Sequence, residues 1–405
     1  MNKLKFKFTR ATRTLQLLLA ITFAAISVAK ADEAAIPGKV PVVDGIVQPK
    51  RPMKDAIAEA MAFLKKADGN YVPGNIKGEL AGYFTSAFVN GDGSRAERQL
   101  AYPARQHAYF IFTFLQYQKY SGEKEWLLRA RDLADWNLIH KTPADALYAN
   151  VPFSTYKDGK PNGGADGDAI EPDKDAFIGS AFIALFETTK DKKYLAGAKS
   201  IADTLAKQQG KDGSWPFRVV AQNGTVRHEF GGAPIFYVQF FEDIMRHDKD
   251  AKYGKAHDQA LALMLERNVK KNLWGIYHED IRQKKDDKLS AEPMCFTATY
   301  LFRNTKKHPE YIDMGRKVLG AMEARLVHTE GHAAAPAAAV SEQEGFEHMM
   351  PGHTARYCLA LVELYKATGD EQTKKKALSS INALTYMQSD EGLFKTHFQL
   401  VKEKN

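Results

Sequence analysis

The sequence predicts an all-α fold in which five to six helical hairpins close into an inner and an outer ring, with long loops gathered on one rim. Three observations predict it. First, apolar or small residues at i, i+1, i+4, i+7, i+8 and i+11 recur six times, from positions 56, 126, 194, 253, 311 and 373. Second, a helix type that is apolar all round alternates with these half-wet helices, so one helix of each pair is enclosed. Third, the connections are unequal: turns from enclosed to half-wet helix are short, and the returns are long.

The elements follow in order. Residues 1–31 hold Lys3, Lys5, Lys7, Arg10, Arg13 and Lys30 and no acid, followed by an apolar run from Leu15 to Val28 and a small-x-small step at 29–31. This reads as a secretory signal peptide, with Asp32 as the first mature residue and a bacterial periplasm or the exterior as destination. Removing it turns 57 basic against 49 acidic side chains into 51 against 49, so the net charge falls from +8 to +2. The basic character belongs to the leader and argues for neither nucleic acid nor a membrane partner. Residues 32–52 are Pro-rich and extended. Residues 53–405 form one domain.

Half-wet helices begin with Ala56-Ile57, Tyr194-Leu195 and Tyr311-Ile312, with weaker copies from Trp126, Tyr253 and Thr373. Enclosed helices cover Tyr109 to Leu115, Phe177 to Phe186, Ile235 to Phe241, Phe296 to Phe302 and Tyr357 to Leu364. A straight solenoid of helix pairs is the alternative architecture, but it would not bury one helix of every pair so completely. Cys295 and Cys358 fall in enclosed helices and read as small buried apolar residues rather than a bridge.

The long returns run roughly over 68–104, 140–173, 211–233, 273–291 and 327–352. Long loops are commonly functional, and these would ring the N-termini of the inner helices. The first carries Gly69 and Tyr71. The second carries Tyr148, Asn150, Asn162, Asp166, Asp168, Glu171, Asp173 and Asp175. Those carboxylates could supply an acid and a base, or oxygen ligands for Ca²⁺ through the 166–175 cluster, while Asp173 or Asp175 could simply cap the next helix. The third carries Trp215, Arg218, Asn223, Arg227, His228 and Glu229, suited to a sugar face and a carboxylate. The fourth carries Trp274, Tyr277, His278 and Glu279. The fifth carries His328, Glu330 and His332, without the helical spacing of a zinc motif, then an Ala-rich run that reads as a flap, then Glu342 and His353. Arg105, His107, His353 and Arg356 sit at inner-helix starts.

Alternating inner and outer helices with polar loops on one rim resemble the α/α-toroid group, which includes six-hairpin glycosidases, polysaccharide lyases and terpenoid cyclases. Gln209-Gly210-Lys211-Asp212-Gly213-Ser214-Trp215 is similar to the Gln…Gly-x-Trp motif of the cyclases, with Gln388, Gly392 and Phe394 as a degraded copy. The cyclases' acid motifs are absent. Export, an aromatic-lined mouth and many polar groups on the rim point instead to carbohydrate, the substrate class that the resemblance to the sugar-active toroids implies. The expected catalytic residues are Asp173, Glu229, His278 and Glu279. The expected substrate contacts are Trp215, Arg218, Arg227, His228, Tyr277 and His353, with no metal ligands assigned. Hydrolysis, needing two carboxylates, and β-elimination from a uronide, needing a base and cations, both stay open. Arg and His on the loops favour uronates. A non-catalytic glycan- or protein-binding toroid is the alternative.

Overall fold

The computed structural model describes residues 40–69, 71–77, 102–156, 167–228, 230–277, 287–328 and 339–394. Residues 1–39, most of the first long loop and the tips of three others lie outside these residues.

The strap comes first: β1 (Val42–Val43) and β2 (Ile46–Val47) pair antiparallel. Helix α1 (Met53–Ala67) follows. The inner helices are α2 (Ala108–Ser121), α4 (Pro172–Thr189), α6 (Pro234–Met245), α8 (Ala291–Arg303) and α10 (Pro351–Thr368). A π-helical turn, Pro103–His107, leads into α2. The outer helices after α1 are α3 (Lys124–Ile139), α5 (Lys192–Gln208), α7 (Ala251–Leu263), α9 (Tyr311–Arg325) and α11 (Glu371–Leu384). Each inner helix packs on the outer helix that follows it, and α2, α4, α6, α8 and α10 pack side by side in that order. Among the described residues this is the expected α/α toroid.

The short turns have clear causes. Asp191, Asp250 and Asp370 accept backbone N–H bonds from the first turn of α5, α7 and α11. Gly122 and Gly369 end α2 and α10 in the left-handed region. The inner helices are buried nearly all round: α4 buries thirteen of its residues from Pro172 to Leu185. Cys295 and Cys358 are buried and unbridged, and Cys295 Sγ lies 3.5 Å from Met322 Sδ.

The Gln…Gly-x-aromatic motif closes the ring. Gln209 Nε2 donates to Gly213 O and to Ala256 O of α7, and Trp215 Nε1 donates to Leu205 O. Gln388 repeats this on Gly392 O and Ala56 O of α1, so the last outer helix is tied to the first. Both glycines have positive φ (86° and 92°), and a Cβ would stand 2.6 Å from Gln259 O and 2.3 Å from Glu59 O. The strap seals the same joint. Val47 N–H donates to Ser379 Oγ, Asn382 to Val47 O, and Tyr386 to Gln48 O.

The stretch ending loop 327–352 carries a small sheet: β5 (Val327–His328), β6 (Ala339–Gln343) and β7 (Phe346–Met349) pair antiparallel. Every residue of β6 is buried, because it packs on α10 and α8. Residues 333–338, the body of the Ala-rich run expected to form a flap, lie outside the described residues. One expectation needs correction, and it concerns capping. The N-cap of α4 is Glu171, which makes no side-chain cap bond, and Asp173 accepts from Ala233 N–H on another segment at 3.2 Å. No described helix is long and apolar enough to cross a membrane.

Candidate functional site

The first turns of the inner helices bring ionisable groups to one end of the ring, above a layer of aromatic side chains. Phe177 of α4 lies 4.7 Å from Tyr109, 5.5 Å from Phe236 and 6.1 Å from Phe296, centroid to centroid, and Phe236 lies 5.1 Å from Phe296. Four inner helices thus meet in one aromatic floor, with Phe296 its half-buried member. Arg356 of α10 stands 5.4 Å from the Tyr109 ring and 5.8 Å from that of Phe296. Lys174 stands 5.1 Å from the Phe236 ring.

One cluster joins α2, α8 and α10. Glu292 Oε1 accepts from Tyr109 Oη at 2.5 Å and faces Arg356 Nη2 at 2.9 Å, while Oε2 faces Arg105 Nη2 at 3.3 Å. Arg356 Nη2 also donates to Tyr109 Oη at 2.7 Å. Arg356 Nη1 donates to His353 Nδ1 at 2.9 Å, so a neutral His353 carries its proton on Nε2, which lies 3.8 Å from Glu342 Oε1. Burial pushes His353 below 6.5 and keeps it neutral near pH 7. Burial also raises the Tyr109 phenol above its ordinary value. Of these side chains Arg105 is the one that reaches out, at 31% exposed against 2% for Glu292 and 3% for Arg356.

The other cluster belongs to α4 and the short sheet of β3 (Ala169–Ile170) and β4 (Val219–Val220). That pairing carries Arg218 to Glu171, and the two side chains form a buried ion pair. Arg218 Nη1 also lies 3.1 Å from His228 Nε2. Lys174 Nζ lies 3.3 Å from Asp173 Oδ2. Burial outweighs Arg218 and pushes Glu171 up to about 7. Asp175, one turn beyond Glu171, is fully buried, and burial with Asp173 and Glu171 nearby raises it well above 3.8. Neither Asp175 oxygen, nor the Tyr237 hydroxyl, has a hydrogen-bond partner among the described residues.

The expected residues divide accordingly. Asp173, Arg218 and His228 meet in the second cluster. Glu229, His278 and Glu279 lie outside the described residues. Trp215 is not a sugar platform: it is 1% exposed and stacks on Tyr237 at 3.8 Å, closing the repeat. Tyr277 is buried, and its hydroxyl accepts from Asn268 at 3.1 Å and Arg267 at 3.2 Å, fixing the loop to the end of the α7 segment. Arg227 faces solvent and pairs with the exposed Asp168 at 3.3 Å. His353 supports Arg356 from within the wall rather than lining the mouth. Sequence reasoning missed Glu292 and Tyr109. The signal was present, since Glu292 is the lone charge opening an otherwise apolar inner helix, Ala291-Glu292-Pro293-Met294-Cys295-Phe296. No group of three side chains able to hold a metal forms among the described residues, and Asp166 lies outside them.

The sequence matches no family model and no curated relative. Solved structures are similar to it in fold. One is a D-mannose isomerase, with TM-score 0.67, 12% identity, and 85% of this chain and 90% of that one covered. Another is the cellobiose 2-epimerase of Bacillus thermoamylovorans, with TM-score 0.60, 11% identity, and 87% of each chain covered. A third is a GH76 α-mannanase of Bacteroides thetaiotaomicron, with TM-score 0.56, 12% identity, and 87% of this chain and 85% of that one covered. The chain has the α/α-toroid architecture of these proteins.

Proposed function

We propose that the chain is a carbohydrate-active enzyme, exported by its leader, that moves a proton at a carbon beside the carbonyl of a sugar, as an isomerase or epimerase does. The observation that carries this reading is the Tyr109–Glu292–Arg356 arrangement beside Arg105. The phenol can take a proton from the sugar as its own passes to Glu292, so no buried phenolate need form. Arg105 and Arg356 supply positive charge where the enolate oxygen would develop. Clustered, buried groups with shifted pKa values favour an enzyme over the binding-module alternative. The D-mannose isomerase and the cellobiose 2-epimerase that share the fold support the same class.

Hydrolysis remains the second reading because Glu171 is pushed up to about 7, the range of a general acid. One experiment separates the two. The protein is incubated in D₂O with unmodified aldoses, ketoses, β-linked disaccharides and uronate polymers, and products are read by NMR. Deuterium on the carbon beside the carbonyl, with a new isomer, is expected. New reducing ends without carbon-bound deuterium would instead establish hydrolysis. Tyr109→Phe should lower turnover on the identified substrate at least about 100-fold, and an unaffected rate overturns the relay.

A further inference from the structure

The charges of the mouth restrict what kind of sugar fits it. On the α8–α10 side, Arg105 and Arg356 flank Glu292, and Glu342 stands behind His353. On the α4 side, Lys174 is set against Asp173 and Arg218 against Glu171. At the outer edge Arg227 is set against Asp168. Each of these cations therefore already faces a carboxylate. Except for Arg105 and Arg227, the cations are almost wholly withdrawn from solvent, at 9% exposed or less.

We propose that this mouth selects a neutral sugar unit and rejects a uronate, which names the substrate class of the enzyme proposed above and rests on that reading. A uronate would bring a further negative charge into a partly desolvated site where, above the range near 7 to which burial pushes Glu171, the described carboxylates balance the cations. It would have to displace Glu171, Asp173 or Glu292 from its partner, leaving a buried carboxylate uncompensated. Sugar hydroxyls make no such demand, because they donate to the carboxylates and accept from the guanidinium and ammonium groups of the same pairs. The aromatic floor, with Phe296 half-buried, suits the C–H face of a neutral ring. The preference for uronates expected from Arg218 and Arg227 is thereby reversed: both guanidinium groups face carboxylates of the chain itself.

The test uses ligand pairs that differ at one carbon. Saturation-transfer NMR at about pH 8, where Glu171 is ionised, compares methyl glucoside with methyl glucuronide, and methyl mannoside with methyl mannuronide, on the chain from Asp32 onward. Ligand is held at ~50 mM, above the KM range usual for enzymes. The neutral member of at least one pair should bind at least about tenfold more tightly than its uronate, a difference of about 1.4 kcal/mol. Glu171→Gln, which uncovers Arg218, should shrink that ratio by strengthening uronate binding. If that variant does not fold, the comparison in the unaltered protein still decides. Tighter binding of the uronate in both pairs, or binding of no neutral member, overturns the proposal. Proton exchange on a free reducing uronate in D₂O would sink this inference while leaving the isomerase reading intact. Neutral-sugar binding with no carbon deuteration of the corresponding free reducing sugars in D₂O would do the reverse.

Discussion

Asp175 has a buried carboxyl whose oxygens find no partner among the described residues, one turn into the helix that carries Asp173 and Glu171. Burial and the neighbouring acids raise it well above 3.8. Above that ordinary value the unfolded chain gives up this proton while the folded chain keeps it, so the protein loses stability as pH rises. Asp175→Asn removes the titration. Thermal melting should show little gain near pH 4 and a gain on the order of 2 kcal/mol near pH 7.5. An equal gain at both values would mean that the carboxyl is ionised when folded. Glu171 makes a prediction about rate. The pH profile of turnover should inflect near 7, where burial places this group, and the inflection should be absent in Glu171→Gln. At this scale the sequence was legible in part. Asp173, Arg218 and His228 were named from one crowded pair of loops. Glu292 and Tyr109 were not, because their importance lies in meeting each other across 183 positions.

The elements carry the closing motif. A Gln, a glycine at positive φ and an aromatic ring end α5 and α11, and each Gln reaches the backbone of an outer helix that is its neighbour in space. Gly392→Ala would force a Cβ to 2.3 Å from Glu59 O and would hold Ala in the left-handed region. A loss of about 2–4 kcal/mol is expected from clash and strain together, read by chemical denaturation, and a loss below about 1 kcal/mol would show that the joint yields. Trp215→Ala tests the reassignment of that ring. It should cost about 3–5 kcal/mol of stability while sugar affinity in the folded fraction stays within about twofold, roughly 0.4 kcal/mol. The motif was visible in the sequence, but its burial was not. An aromatic side chain beside Arg and His reads equally well as a platform or as a lid, and only packing on Tyr237 distinguishes them.

At the scale of the whole molecule, the ring is closed by its own ends. The strap and α1 meet α11 through Val47, Gln48, Ala56 and Gln388, more than 330 positions apart in sequence. Closure uses bonds made from residue 47 onward, so a cleavage at residue 31 would leave them intact. Protein recovered from outside the cytoplasm is expected to begin at Asp32 or within a few residues, as read by N-terminal sequencing, and an intact Met1 on the exported form would make the leader an anchor. Truncation beyond residue 52 should destabilise the fold by far more than removal of residues 1–31, since the strap supplies the bonds to Ser379, Thr385 and Tyr386.

The sequence by itself determined the helices, their alternation and the rim. Periodicity is a local property, and a helix apolar on every side has one place to go. It also placed the polar loops at one end, because chain direction alternates from helix to helix. Tertiary structure decided which polar groups meet. Charges at the starts of α2, α4, α8 and α10 are far apart in sequence, and their value depends on distances of about 3 Å that no local pattern encodes. The same holds for charge balance. Arg218 and Arg227 counted as open cations in the sequence, and folding set Glu171 and Asp168 against them.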